Sequence, residues 1–123
     1  MSVAVLVTAR AHDEQYDWTT SEIAAQKDGL EPAIIDVIRQ MKSPTGLGEK
    51  ETAIIQFGRE LFGRHYVSAE TYARALQIFG ERDLVDVVNL MAQHADDATI
   101  LTAFDQRLPV AQKPLLPISN SAK

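Results

Sequence analysis

The feature that most constrains this chain is a run of apolar residues at three- and four-residue steps between residues 81 and 104. Leu84, Val87, Val88, Met91, Ala95, Ala98 and Leu101 follow that spacing, which gathers them on one stripe of an α-helix. About 24 residues at ~1.5 Å each span roughly 36 Å, long enough to cross a small domain. The rest of the chain must cover that stripe.

Shorter segments carry the same period. Glu31-Pro32 opens a helix, with proline in the first turn and Ile34, Val37, Ile38 and Met41 on one face. Ser43-Pro44-Thr45-Gly46 is a turn cluster. Gly48 to Gly63 reads as a helix with Ile54, Phe57, Leu61 and Phe62 near one face. Ser68 is an N-cap for a helix that Gly80 closes, with Glu70 in its first turn. Thr19 and Glu22 have capping-box spacing, so a further helix is expected to start there and to end near Asp28-Gly29. Val3 to Ala11 is apolar almost throughout, and its valines lean towards strand without excluding a buried helix.

No other segment alternates as a strand would. The expected architecture is all-α, five or six helices joined by short turns, in one domain over residues 1–108. Residues 109–123 form an irregular tail, because Pro109, Pro114 and Pro117 break any helix. That tail either lies along a neighbour through Leu115 and Leu116 or is disordered, and Ser119 to Lys123 reads as a frayed end.

Composition removes several classes of function. Twelve Lys and Arg against 17 Asp and Glu give a net charge of −5, which opposes nonspecific binding to nucleic acid or to an anionic membrane. No stretch approaches the roughly 20 apolar residues of a membrane helix. The first residues lack the basic flank of a signal peptide, so the expected location is cytoplasmic. With zero cysteines, disulfides, thiolate metal sites and thiol catalysis are all absent.

The candidate small-molecule site is Tyr16-Asp17-Trp18-Thr19-Thr20-Ser21-Glu22, which holds the only tryptophan. Its polar groups are carboxylates and hydroxyls. Of the histidines His12, His65 and His94, no two share metal-ligand spacing on one helix, so no metal is expected. His65 follows a helix end, where a cation suits the dipole. His94 lies three residues after Met91 beside the apolar stripe. It either enters a pocket as an acid or base or sits half-buried at the stripe edge. Asp96-Asp97 diverge on a helix and read as a solvated face. Ser21, His12 and Asp17 supply the letters of a catalytic triad but not its geometry. Gly46-Leu47-Gly48 lacks a phosphate-loop context.

Asp17-Trp18-x-x-Ser21, then Ala24-Ala25, Gly29-Leu30 and an isoleucine-rich helix, resembles the Glu-Trp-x-x-His…Ala…Gly-Leu pattern of the carboxymuconolactone decarboxylase family, which shares the AhpD-like fold with the alkylhydroperoxidase AhpD. The likeness continues through Glu51 to Leu61, then Val67-Ser68, Tyr72 and Phe79-Gly80, and through Leu84 to Met91, covering roughly residues 3 to 109. It implies that the first segment is a helix and that the protein assembles as a trimer or hexamer. It also implies cofactor-free decarboxylation or proton transfer on a small lactone or carboxylate. On that reading Asp17, Ser21 and His94 are the catalytic groups, Trp18 walls the substrate pocket and His12 contributes to binding. A short domain of this kind also leaves apolar helix surface for a second copy to cover.

This chain departs from the family pattern at its reactive groups. The peroxidatic cysteine positions fall near Glu14 and Asp17, so thiol peroxidase chemistry is excluded; the family histidine falls on Ser21, and the upstream glutamate at about Ser2. The chain therefore resembles an N-terminally shortened member. His94 stands where the long helix of relatives commonly carries a tyrosine. The alternative expectation is a catalytically inactive oligomeric or small-molecule-binding protein on the same fold.

Overall fold

A computed structural model describes residues 1–117; the expected frayed end, Ser119 to Lys123, lies outside the described residues. The described residues form an all-helical bundle without strands: α1 (Ser2–Ala11), α2 (Gln15–Lys27), α3 (Pro32–Arg39), α4 (Glu49–Gly63) and α5 (Ala69–Ala103). No helix among them is long and apolar enough to cross a membrane.

The segment that leaned towards strand is the central helix. α1 packs against all four other helices and buries Val3, Ala4, Leu6, Val7 and Ala9. A helix apolar on every side needs neighbours on every side. That enclosure outweighs the mild strand preference of its valines. Its one fully buried hydroxyl is satisfied locally, as Thr8 Oγ1 donates to the Ala4 carbonyl at 2.9 Å.

α2 begins four residues before the expected capping box. Glu14 is the N-cap, its carboxylate accepting from the Tyr16 amide at 2.9 Å. Thr19 and Glu22 lie inside the helix, with their side chains committed to tertiary contacts instead of the helix end. Gly29 does close the turn, with φ of +87° in the left-handed region open to glycine.

α3 presents Ile34, Ile35 and Ile38 to the core. It ends at Arg39, so Met41 leaves the expected stripe. Met41 adopts φ of +57° and is 54 % exposed. α4 starts after Gly48 and buries Ile54, Ile55 and Phe57. Gly58 lies where α4 crosses α1 and α5: an added Cβ would overlap Val7 Cγ1 and lie 2.8 Å from Met91 Cε.

Ser68 caps α5 through its Oγ, which accepts from the Thr71 amide at 3.2 Å. α5 is not continuous: Gly80 takes φ +78° and ψ +166°, a region essentially restricted to glycine. The residues before the break join Phe57 and Leu84 in a small cluster through Ala75, while Val87 and Met91 beyond it enter the main core.

Part of the tail is docked. Leu116 is buried in the main core, and its backbone is gripped on both sides by Gln15. Gln15 Oε1 accepts from the Leu116 amide and Gln15 Nε2 donates to the Leu116 carbonyl, each at 2.8 Å. The Leu115 amide donates to Thr19 Oγ1 at 3.2 Å. Leu115 and Leu116 thus lie along α2, the first of the two arrangements the sequence allowed.

Candidate functional site

Three of the five sequence-expected site residues meet. Asp17 stands in the first turn of α2 and His94 in the second half of α5. Asp17 is buried, and its two carboxylate oxygens lie 3.2 and 3.0 Å from His94 Nδ1. Ser21, one turn along α2, donates its hydroxyl to Asp17 Oδ1 at 3.1 Å. The carboxylate is therefore the centre of the group, with imidazole on one side and hydroxyl on the other.

This is not a hydrolase triad. There the imidazole lies between carboxylate and hydroxyl and withdraws the hydroxyl proton. Here Ser21 bonds to the carboxylate, which cannot activate it in that way. What the arrangement does provide is an oriented imidazole. With Nδ1–H on Asp17, the neutral ring carries its lone pair on Nε2, the form that accepts a proton. A cleft of about 280 Å³ beside Asp17 is bounded also by Tyr16, Thr20, Asp97 and Ile100. Its lining carries carboxylates and no Lys or Arg.

Trp18 lies elsewhere. Its side chain is completely enclosed, 0 % exposed, so it does not wall an open pocket; it packs the core. Its indole Nε1 donates to Glu22 Oε1 at 2.9 Å. Glu22 is itself buried and also receives Gln26 Nε2 at 2.9 Å and Arg39 Nη2 at 2.8 Å. A buried carboxylate is tolerated only with such partners. The Trp18–Glu22–Arg39 chain pins α3 to α2.

His12 is separate from the Asp17 group. It caps α1, with Nδ1 2.8 Å from the Thr8 carbonyl and its ring edge-on to Phe62 at 4.9 Å. It lines a larger cleft of about 600 Å³ between the α1–α2 turn, the end of α5 and the tail. Glu14 lies in the same wall, buried, with Oε2 accepting from Thr102 Oγ1 at 3.2 Å. His65 is exposed just past α4 with φ of +57°, and Asp96 and Asp97 are exposed on α5. Among the described residues, no three His, Asp or Glu side chains are grouped to hold a metal ion.

The sequence reading placed Glu14 only near a peroxidatic cysteine position, and it did not single out Arg10 and Arg59. Arg10 Nε donates to the Arg39 carbonyl at 2.9 Å, and Arg59 donates to the carbonyls of Lys42 at 2.6 Å and Val37 at 3.0 Å. An arginine inside a strongly apolar helix pattern, as Arg10 is, was the one available signal.

Comparison of this chain with protein-family models, with characterised proteins and with solved structures finds no match. The assignment of function therefore rests on the site itself.

Proposed function

We propose that Asp17 and His94 form a proton-transfer pair acting on a small lactone or carboxylate, on an AhpD-like fold and in the manner of the carboxymuconolactone decarboxylase family. The observation that carries this reading is the double approach of His94 Nδ1 to the buried Asp17 carboxylate beside a cleft. No metal or organic cofactor is needed. In a decarboxylation the bond to the carboxyl carbon breaks and carbon dioxide leaves. The electron pair passes into an enolate conjugated with the lactone carbonyl, and the His94–Asp17 pair, which borders the cleft through Asp17, returns a proton to carbon. Asp17 holds the ring in orientation. Ser21 positions Asp17. The acidic lining of the cleft favours a substrate whose neutral lactone ring, rather than a second anionic group, faces α2.

Turnover of carboxymuconolactone, together with solvent deuterium incorporation at the protonated carbon, tests the reading. His94→Ala and Asp17→Asn should each abolish most of the turnover, while Ser21→Ala should reduce it modestly. Full activity in both of the first two variants would refute the assignment.

A second reading is a catalytically inactive oligomeric or small-molecule-binding protein. It is favoured by Ser21, whose hydroxyl is tied to Asp17 at the position where the resemblance expects an imidazole. Saturable binding of the lactone without turnover distinguishes it. Assembly as a trimer or hexamer and a cytoplasmic location belong to both readings. Exposed Tyr72, Leu76 and Val85 on α5 supply apolar surface for such assembly. Light scattering and cell fractionation check these two points, and a monodisperse monomer would contradict the first.

A further inference from the structure

We propose that the cleft between α1, the end of α3 and α4 binds a small organic monocarboxylate, its anionic end on Arg59 and Arg10 and its carbon body on Val7, Ile38 and Met41. The cleft has a volume of about 300 Å³, and these five residues line it together with Ala11 and Asp13. That is the lower end of the range of ligand pockets, suited to a small molecule.

The charge distribution is the first argument. Two guanidiniums front one apolar concavity. Arg10 is paired with Asp13, which is largely exposed. Arg59 makes no ion pair among the described residues; its bonds go to backbone carbonyls. One positive charge is thus left over at the lining. Burial, and then repulsion from the neighbouring Arg10, both push the Arg59 guanidinium below its ordinary value. A carboxylate would relieve that repulsion.

Donor capacity is the second. Capping of the carbonyls at the end of α3 accounts for one N–H of Arg10 and two of Arg59. A guanidinium has five in a planar fork that matches a carboxylate. Donors therefore remain on both residues after the helix end and Asp13 are satisfied.

Shape is the third. Val7 and Ile38, both almost fully buried, form the apolar floor. Met41 stands at the rim, exposed and in a left-handed backbone conformation that is costly for a side chain of its size. A flexible thioether in that place adapts to a bound hydrocarbon.

The test is a methyl NMR titration of the full chain with hexanoate, with hexan-1-ol as the neutral control. Hexanoate should give saturable shifts at Val7, Ile38 and Met41, and hexan-1-ol should not. Arg59→Met should weaken hexanoate about tenfold or more, the effect of losing a charge-assisted contact. Because Arg59 also caps α3, a second variant leaves both arginines in place. Ala11→Leu keeps a good helix former and fills the cleft, and it should abolish binding. His94→Ala should bind hexanoate as the wild type does, which separates this site from the proton-transfer pair. Absence of saturable shifts in the wild type, equal binding of hexan-1-ol, or binding unaffected by Arg59→Met and Ala11→Leu would each overturn the proposal.

Discussion

His94 Nδ1 faces both oxygens of Asp17 at 3.0 and 3.2 Å, joining α5 to α2 across 77 positions of sequence. The two helices make few other contacts, so this link, with that of Glu14 to Thr102, helps hold them together as well as orienting the imidazole. A double-mutant cycle with Asp17→Asn and His94→Gln, followed by urea unfolding at pH 7, should give a coupling energy of about 1–2 kcal/mol. A coupling near zero would mean that the groups are merely adjacent.

Two glycines should respond to alanine for opposite reasons. At Gly58 the backbone is ordinary helix, and Ala would gain up to about 1 kcal/mol of helix propensity. The added methyl, however, overlaps Val7, a stiff side chain, and crowds Met91. Overpacking costs about 1–3 kcal/mol, so Gly58→Ala should destabilise on balance. At Gly80 no atom lies within 4 Å of the new Cβ, and the cost is purely conformational. Gly80→Ala should lose about 1–3 kcal/mol. Thermal unfolding of both variants measures the two effects.

Tail docking depends on Gln15 as well as on the leucine side chain. Leu116→Ala should cost about 2–5 kcal/mol if the site cannot collapse. Gln15→Ala should cost less and should speed proteolytic cleavage between residues 104 and 114, where Phe104 and Val110 are exposed. Unchanged cleavage kinetics in Gln15→Ala would show that the leucine alone holds the tail.

Glu60 predicts an acid-side effect. The Thr71 hydroxyl at 2.5 Å and the Ser68 amide at 2.8 Å hold its carboxyl below the usual glutamate range. A carboxyl whose folded pKa is depressed contributes stability above its unfolded pKa and loses it as pH falls through the folded one. Glu60→Gln should therefore be less stable than wild type at pH 7, and the difference should shrink progressively below about pH 4.5. A difference independent of pH would assign the effect to packing at the α4–α5 junction.

Much of the helical plan was legible because its signals are local. Ser68, Gly29, Pro32 and Gly80 act through backbone geometry at their own positions. The parts misread depend on what lies across the fold. The valines of α1 cannot reveal that four helices surround them. Thr19 and Glu22 match a capping box, yet Thr19 donates to Gln15 Oε1 at 2.8 Å and Glu22 receives Trp18 and Arg39. Trp18 did mark an important region, but its value is structural: it helps make a buried carboxylate tolerable. Asp17, Ser21 and His94 were nameable one by one. Their order, with carboxylate in the middle, follows from the placement of α5 against α2, which no local spacing encodes.

The break at Gly80 gives the molecule two levels of cooperativity. Ahead of it, Ala75 packs on Phe57 and Leu84 in a cluster of a few side chains, with Phe79 touching both that cluster and the main core; beyond it, Met91 is locked among the residues of α1. Local openings follow boundaries of this kind. The lobe of residues 69–79 is expected to open from α4 more readily than the centre, with Phe79 its contact to the main core. In hydrogen exchange its amides should be released ahead of those around Met91, making this lobe the soft end of an otherwise tightly centred bundle.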